Sequence, residues 1–168
     1  MTINETAFAK NAEMWRLVTQ RLNKLAKDIA DSIAAHGLTA SGATARSLKV
    51  VDEDDGVALY GRNFFPALET GSSRWTGATG IKCSVEEFKA IIRAWATAKG
   101  LNFGQASEHE RTIEAITYKI IREGTKQKRS GERLDVYTTL LDEAVKDCGD
   151  IVAEQMGNQI INYLQQWS

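Results

Sequence analysis

A chain of 168 residues with 43% apolar and 26% charged side chains has the length of one domain and the balance of an ordinary globular protein. Its formal net charge of -1 argues against a general nucleic-acid coat or an anionic-membrane binder, which need a broad positive excess. No apolar run approaches the roughly 18 residues that cross a bilayer, and MTINETAFAK lacks the basic-then-apolar order of a secretory signal. The expectation is therefore one soluble, intracellular domain over residues 1–168, with no membrane partner. Cys83 and Cys148 lie outside any paired-ligand spacing and read as reduced, partly buried thiols, a single disulfide being the alternative.

The first predicted element is a helix from about Glu5 to His36. Met14, Val18, Leu22, Leu25, Ile29 and Ile33 recur at steps of three and four, which places them on one face. Gly37 is placed to end it. After a small, polar stretch (TASGAT), Ser47–Val51 and Val57–Tyr60 are β-prone runs joined by an acidic connection ending in Asp55-Gly56, the pattern of a hairpin. Asn63–Leu68 reads as a third extended segment, with Pro66 at an edge or bend. From about residue 71 to 82 the composition predicts a flexible loop anchored by Trp75.

Helices follow. Ser84-Val85-Glu86-Glu87 has the form of a capping box opening a helix that runs to Lys99 and stops at Gly100. Ser107 is a candidate cap for the next helix, which carries Ile113, Ile116, Ile120 and Ile121 and stops near Gly124. A basic loop (TKQKRSGER) leads to a last helical region from about Asp135 to Leu164. Its stripe runs through Val136, Leu140, Ala144, Cys148, Ile151, Val152, Met156, Ile160 and Leu164, and Gly149 and Gly157 are points for a kink or break. The order is α+β: a long N-terminal helix, a small antiparallel hairpin, two middle helices and a long C-terminal helix.

No catalytic set emerges. His36 at a helix end and His109 in an acidic first turn have no second ligand at metal spacing. The run Asp52–Asp55 lacks the alternating ligands of a calcium loop, and Gly77–Lys82 lacks the spacing of a phosphate-binding loop. Neither a cofactor nor a metal is expected, and the chain reads as a non-enzyme.

Local charge is more informative. Between Lys119 and Arg133 six basic residues stand against two acidic ones, a balance of +4; from Leu134 to Ser168 one basic residue stands against six acidic, a balance of -5. Lys126, Lys128, Arg129 and Arg133 are candidate contacts for a neighbouring subunit or for DNA phosphates. Asp142, Glu143 and Asp150 are the candidate acidic subunit contacts. Head-to-tail joining of such surfaces closes into rings. A second reading makes the chain a small DNA-binding or regulatory protein using residues 119–133, with salt-dependent affinity.

Four stretches carry a resemblance: Ser41-Gly42-Ala43-Thr44-Ala45-Arg46-Ser47-Leu48; the corner Phe65-Pro66-Ala67-Leu68-Glu69-Thr70-Gly71-Ser72; Trp95-Ala96-Thr97-Ala98-Lys99-Gly100-Leu101; and Lys119-Ile120-Ile121-Arg122-Glu123-Gly124-Thr125. In this order, over about residues 1 to 165, they resemble the tail-completion or head–tail joining (neck, minor tail) proteins of tailed phages. The resemblance implies a structural virion protein, made in the bacterial host cytoplasm, without catalytic residues. It would form part of a ring at the tail end or below the portal. Its partners would be copies of itself, neighbouring connector or tail-tube proteins and transiting DNA. Phe64, Phe65, Leu68, Glu69, Thr70, Gly71 and Trp75 would then form its assembly interface.

Overall fold

The structure, a computed structural model, describes residues 12–54, 56–62, 65–72 and 82–165. Within them the fold is α+β, as the patterning predicts. Helix α1 (Ala12–Ala35) buries Met14, Val18, Leu25, Ile29 and Ile33, five of the six residues of the predicted stripe. Its predicted first turns, from Glu5, lie outside the described residues. A 3₁₀ turn (Ala45–Ser47) leads into strand β1 (Lys49–Glu53), which pairs antiparallel with β2 (Gly56–Tyr60). Val50 faces Leu59 and Glu53 faces Gly56, so the strands reach further into the acidic connection than expected, leaving only positions 54 and 55 between them.

The third extended segment is corrected to a short helix, α2 (Pro66–Thr70). Proline is preorganised for a helix's first turn, where its missing N–H costs nothing. Phe65 and Leu68, which frame that turn, both pack on the core. Helices α3 (Val85–Ala98) and α4 (Ala106–Glu123) follow. The α3 capping box forms as predicted: Glu87 N–H donates to Ser84 Oγ at 3.2 Å and Ser84 N–H to Glu87 Oε2 at 2.7 Å. Ser107, by contrast, lies inside the first turn of α4; Gln105 is the N-cap, its N–H donating to Glu108 Oε2 at 3.3 Å.

The predicted basic loop contains a helical turn, α5 (Lys126–Ser130), capped by Thr125. The final helix, α6 (Thr138–Gln165), starts three residues later than predicted and runs unbroken through Gly149 and Gly157. Intact helical hydrogen bonds outweigh the roughly 1 kcal/mol that each glycine costs.

Two apolar clusters form. In the first, Leu25, Ile29 and Ile33 of α1 meet Val136 and Ala144, with Leu48, Leu59, Phe65 and Leu68 packed around them. In the second, Phe88, Ile92 and Ala96 of α3 meet Ile113 of α4. Full burial of a side chain such as Leu25 contributes about 2 kcal/mol. Across the second pair, Arg93 grips Glu110 through two hydrogen bonds of 2.9 and 2.7 Å.

Candidate assembly surface

Two helix ends meet where the corner reaches the α4–α5 connection. Helix α2 ends at Gly71 and α4 at Gly124, with nearly the same backbone angles, φ 69°, ψ -179° and φ 81°, ψ -179°. This region is essentially reserved for glycine. Each glycine is followed by a hydroxyl residue, and those residues bond to each other. Thr125 N–H donates to the Ser72 carbonyl at 2.9 Å, and Ser72 N–H donates to Thr125 Oγ1 at 3.1 Å. The approach is close: a Cβ on Gly71 would lie 2.5 Å from both Lys128 N and Thr125 Oγ1. Gln127 adds hydrogen bonds from its side-chain amide to the Leu68 and Glu69 carbonyls. The corner Phe65–Ser72 and the Glu123-Gly124-Thr125 stretch are therefore two halves of one junction.

Glu69 completes it. The side chain is 1% exposed and points at the start of α6. Its Oε1 accepts from the N–H groups of Val136, Tyr137 and Thr138 at 3.1, 2.8 and 2.8 Å, and its Oε2 accepts from the Thr138 hydroxyl at 2.6 Å. The Arg133 guanidinium lies 3.5 Å from Oε2. A carboxylate here satisfies donors that no helical carbonyl reaches and meets the positive end of the helix dipole. Burial pushes the Glu69 carboxyl up. The hydrogen bonds from Thr138 and Tyr137, together with Arg133, outweigh that and hold it below the usual carboxylate range. Glu69 therefore works inside the chain rather than on a surface open to a partner.

The other two stretches tie ends as well. No cation lies in the last turn of α1, but Lys99 Nζ, from the end of α3, donates to the Gly37 carbonyl at 2.7 Å. In the Ser41–Leu48 stretch, Arg46 donates to the Ser41 carbonyl at 2.8 Å and Ser47 Oγ to the Thr44 carbonyl at 2.7 Å, delivering Leu48 to the first cluster.

The predicted basic contacts divide into two kinds. Arg129 donates to the Gly124 carbonyl at 2.6 Å and Arg133 bonds Glu69 and Thr138, so both serve the junction. Lys126 and Lys128 are exposed on α5. Asp142, Glu143 and Asp150 are exposed along α6, whereas Asp147 is held by Arg21 at 2.6 Å. Thr70 is exposed, Phe65 and Leu68 are half-buried in the first cluster, and Phe64 and Trp75 lie outside the described residues.

His109 packs its ring 5.4 Å from Phe103, and His36 bonds the Ser32 carbonyl within its own helix end. Burial pushes the Cys148 thiol up. Among the described residues no group of three or more His, Cys, Asp or Glu could share a metal ion, and no helix is long and apolar enough to cross a membrane.

Two surface features accompany the junction. A pocket of about 250 Å³ opens between the hairpin and the corner, lined by Leu48, Leu59, Tyr60, Phe65, Pro66 and Tyr137 among others. It is smaller than a typical small-molecule site. Second, the apolar stripe of the last helix is buried or half-buried as far as Val152 and open beyond it. Ala144 is 1% exposed, while Met156, Ile160 and Leu164 are 53%, 58% and 62% exposed. The signal was present in the sequence as apolar residues on more than one face, including Leu141, Val145 and Ile161. Compared with known proteins, the chain matches no protein-family model, no curated protein and no solved structure.

Proposed function

We propose that this chain is a structural, non-enzymatic subunit of a tailed-phage or prophage particle, forming part of a ring at the head–tail interface or tail end. The observation that carries the reading is the junction. Two of the four stretches on which the resemblance rests, Phe65–Ser72 and Lys119–Thr125, meet in one hydrogen-bonded joint. Glu69 then fixes the long α6 helix to that joint. A subunit whose work is to present surfaces at fixed angles needs rigid joints of this kind. The apolar side chains left open on α6 are a second support, because contiguous exposed apolar surface marks protein–protein contact.

The test is to delete the gene from the source phage or prophage and image the lysate by electron microscopy. The reading predicts heads and tails that fail to join, or tails with unfinished ends, restored by the gene in trans. Normal, infectious particles from the deletion would overturn it.

A further inference from the structure

Helix α6 carries a charged stripe besides its apolar one. Glu143, Asp147, Asp150 and Glu154 follow at steps of four, three and four, which sets them along one flank. The same steps lead on to Gly157 and Ile161 rather than to Met156 or Ile160, so the charged flank and the open apolar side are distinct. Asp147 is held by Arg21 of α1 at 2.6 Å. Glu143, Asp150 and Glu154 are exposed and take part in no ion pair among the described residues. Lys146, the one cation of α6, stands between Glu143 and Asp150 and leaves the flank net negative.

The opposite charge is on α5. Its sequence, KQKRS, holds three cations, and Glu132 is the only acid from Lys126 to Arg133. The two arginines of this stretch are engaged inside the chain, Arg129 on the Gly124 carbonyl and Arg133 on Glu69 and Thr138. Lys126 and Lys128 remain, exposed and in no ion pair among the described residues.

These lysines cannot reach the flank of their own α6. The Lys128 backbone packs against Gly71, and Glu69, just before it, binds Thr138, so α5 stands at the start of α6. At about 1.5 Å per residue, Asp150 and Glu154 lie about 18 and 24 Å along the axis from Thr138. A four-carbon lysine stem does not span that distance. Charges that one chain holds apart in this way are complementary between copies.

We infer that α5 of one copy, through Lys126 and Lys128, meets the Asp150–Glu154 flank of α6 in the next copy. The two surfaces differ, so the contact is heterologous: it passes from copy to copy and closes where the rotation allows. Charge of this kind selects the surfaces and their register more than it adds affinity. This contact deepens the ring reading, on which it rests, by giving the two faces through which neighbouring subunits join.

The test is zero-length cross-linking with a carbodiimide, which joins a lysine amine directly to a carboxylate. It is run on purified particles and on an equal mixture of unlabelled and nitrogen-isotope-labelled chain. The expected result is peptides joining Lys126 or Lys128 to Asp150 or Glu154, of mixed label, in a yield that falls severalfold as salt is raised. Joined peptides of unmixed label only would place the pair within one chain and overturn the contact. Particles that hold the chain at ring copy number, with these lysines unjoined or joined to other carboxylates, would overturn the contact and leave the ring reading standing. Particles without the chain would remove both.

Discussion

Glu69 and Thr138 are joined twice: Oε1 accepts the Thr138 N–H at 2.8 Å and Oε2 accepts its hydroxyl at 2.6 Å, across 69 positions of sequence. This pair fixes the direction of α6 relative to the corner and the α4–α5 connection.

Replacing Glu69 separates its roles. Glu69→Gln keeps an acceptor and loses the charge, and should cost about 1.5–3 kcal/mol, the range for hydrogen bonds to charged groups. Glu69→Ala leaves the N–H groups of Val136, Tyr137 and Thr138 without their acceptor and opens a cavity, and should cost more than about 3 kcal/mol. Urea unfolding followed by circular dichroism measures both. Equal, small losses would show that the pair does not hold α6.

The same carboxylate sets an acid limit. Its folded pKa lies below the ordinary value, so its contribution is fully present above the ordinary carboxylate range and is lost as pH falls through the folded pKa. Stability should fall below about pH 4.5, where unfolded glutamates begin to take up protons. Exposed carboxylates such as Glu87 and Asp135 are also held low and add to the slope, so the comparison with Glu69→Gln isolates this residue. The variant's melting temperature should change less between pH 6 and pH 3. Parallel curves would contradict the assignment.

Glycines in two settings should respond in opposite directions. Gly71→Ala meets a positive φ and a backbone nitrogen 2.5 Å from the new methyl group, and should destabilise by about 3 kcal/mol from strain and overpacking together. Gly149→Ala lies mid-helix with nothing within 4 Å and should stabilise by roughly 0.5–1 kcal/mol. Thermal melts of the two variants give the signs directly, and a neutral Gly71→Ala would refute the close approach at the junction.

The exposed lysines test whether charge acts at the proposed subunit contact. Lys126→Glu with Lys128→Glu should weaken self-association about three- to tenfold at low salt, as expected for a few exposed pairs at about 0.2–1 kcal/mol each. Asp150→Lys with Glu154→Lys should recover part of that loss. Sedimentation velocity at two salt concentrations reads both. If the lysine changes instead abolish DNA binding while association is unchanged, the basic segment serves nucleic acid.

Periodicity and caps were legible in the sequence because they are local. The α1 stripe, the Ser84–Glu87 box and the presence of the hairpin all follow from neighbours within a few residues, whereas its strands reach further into the acidic connection than the composition indicates. The segment before Gly71 reads as extended because Phe64, Phe65 and Pro66 are strand or bend types. Packing of Phe65 and Leu68 on the first cluster, with Pro66 at a helical first turn, decides for α2. The α5 turn was hidden by its polar composition, although Thr125 just after Gly124 is a cap signal. Glu69 could be placed beside a turn, but its partners at 136–138 are fixed by the fold alone. The junction was visible as two separate stretches, not as one object.

The proposed role requires this chain to be built into a particle as part of a ring. Quantitative mass spectrometry of density-purified particles from the source phage or induced prophage is the decisive measurement. The chain should be found at a few copies per hundred capsid subunits, constant across gradient fractions that hold intact particles. Its presence in the lysate but absence from the particles would refute that role.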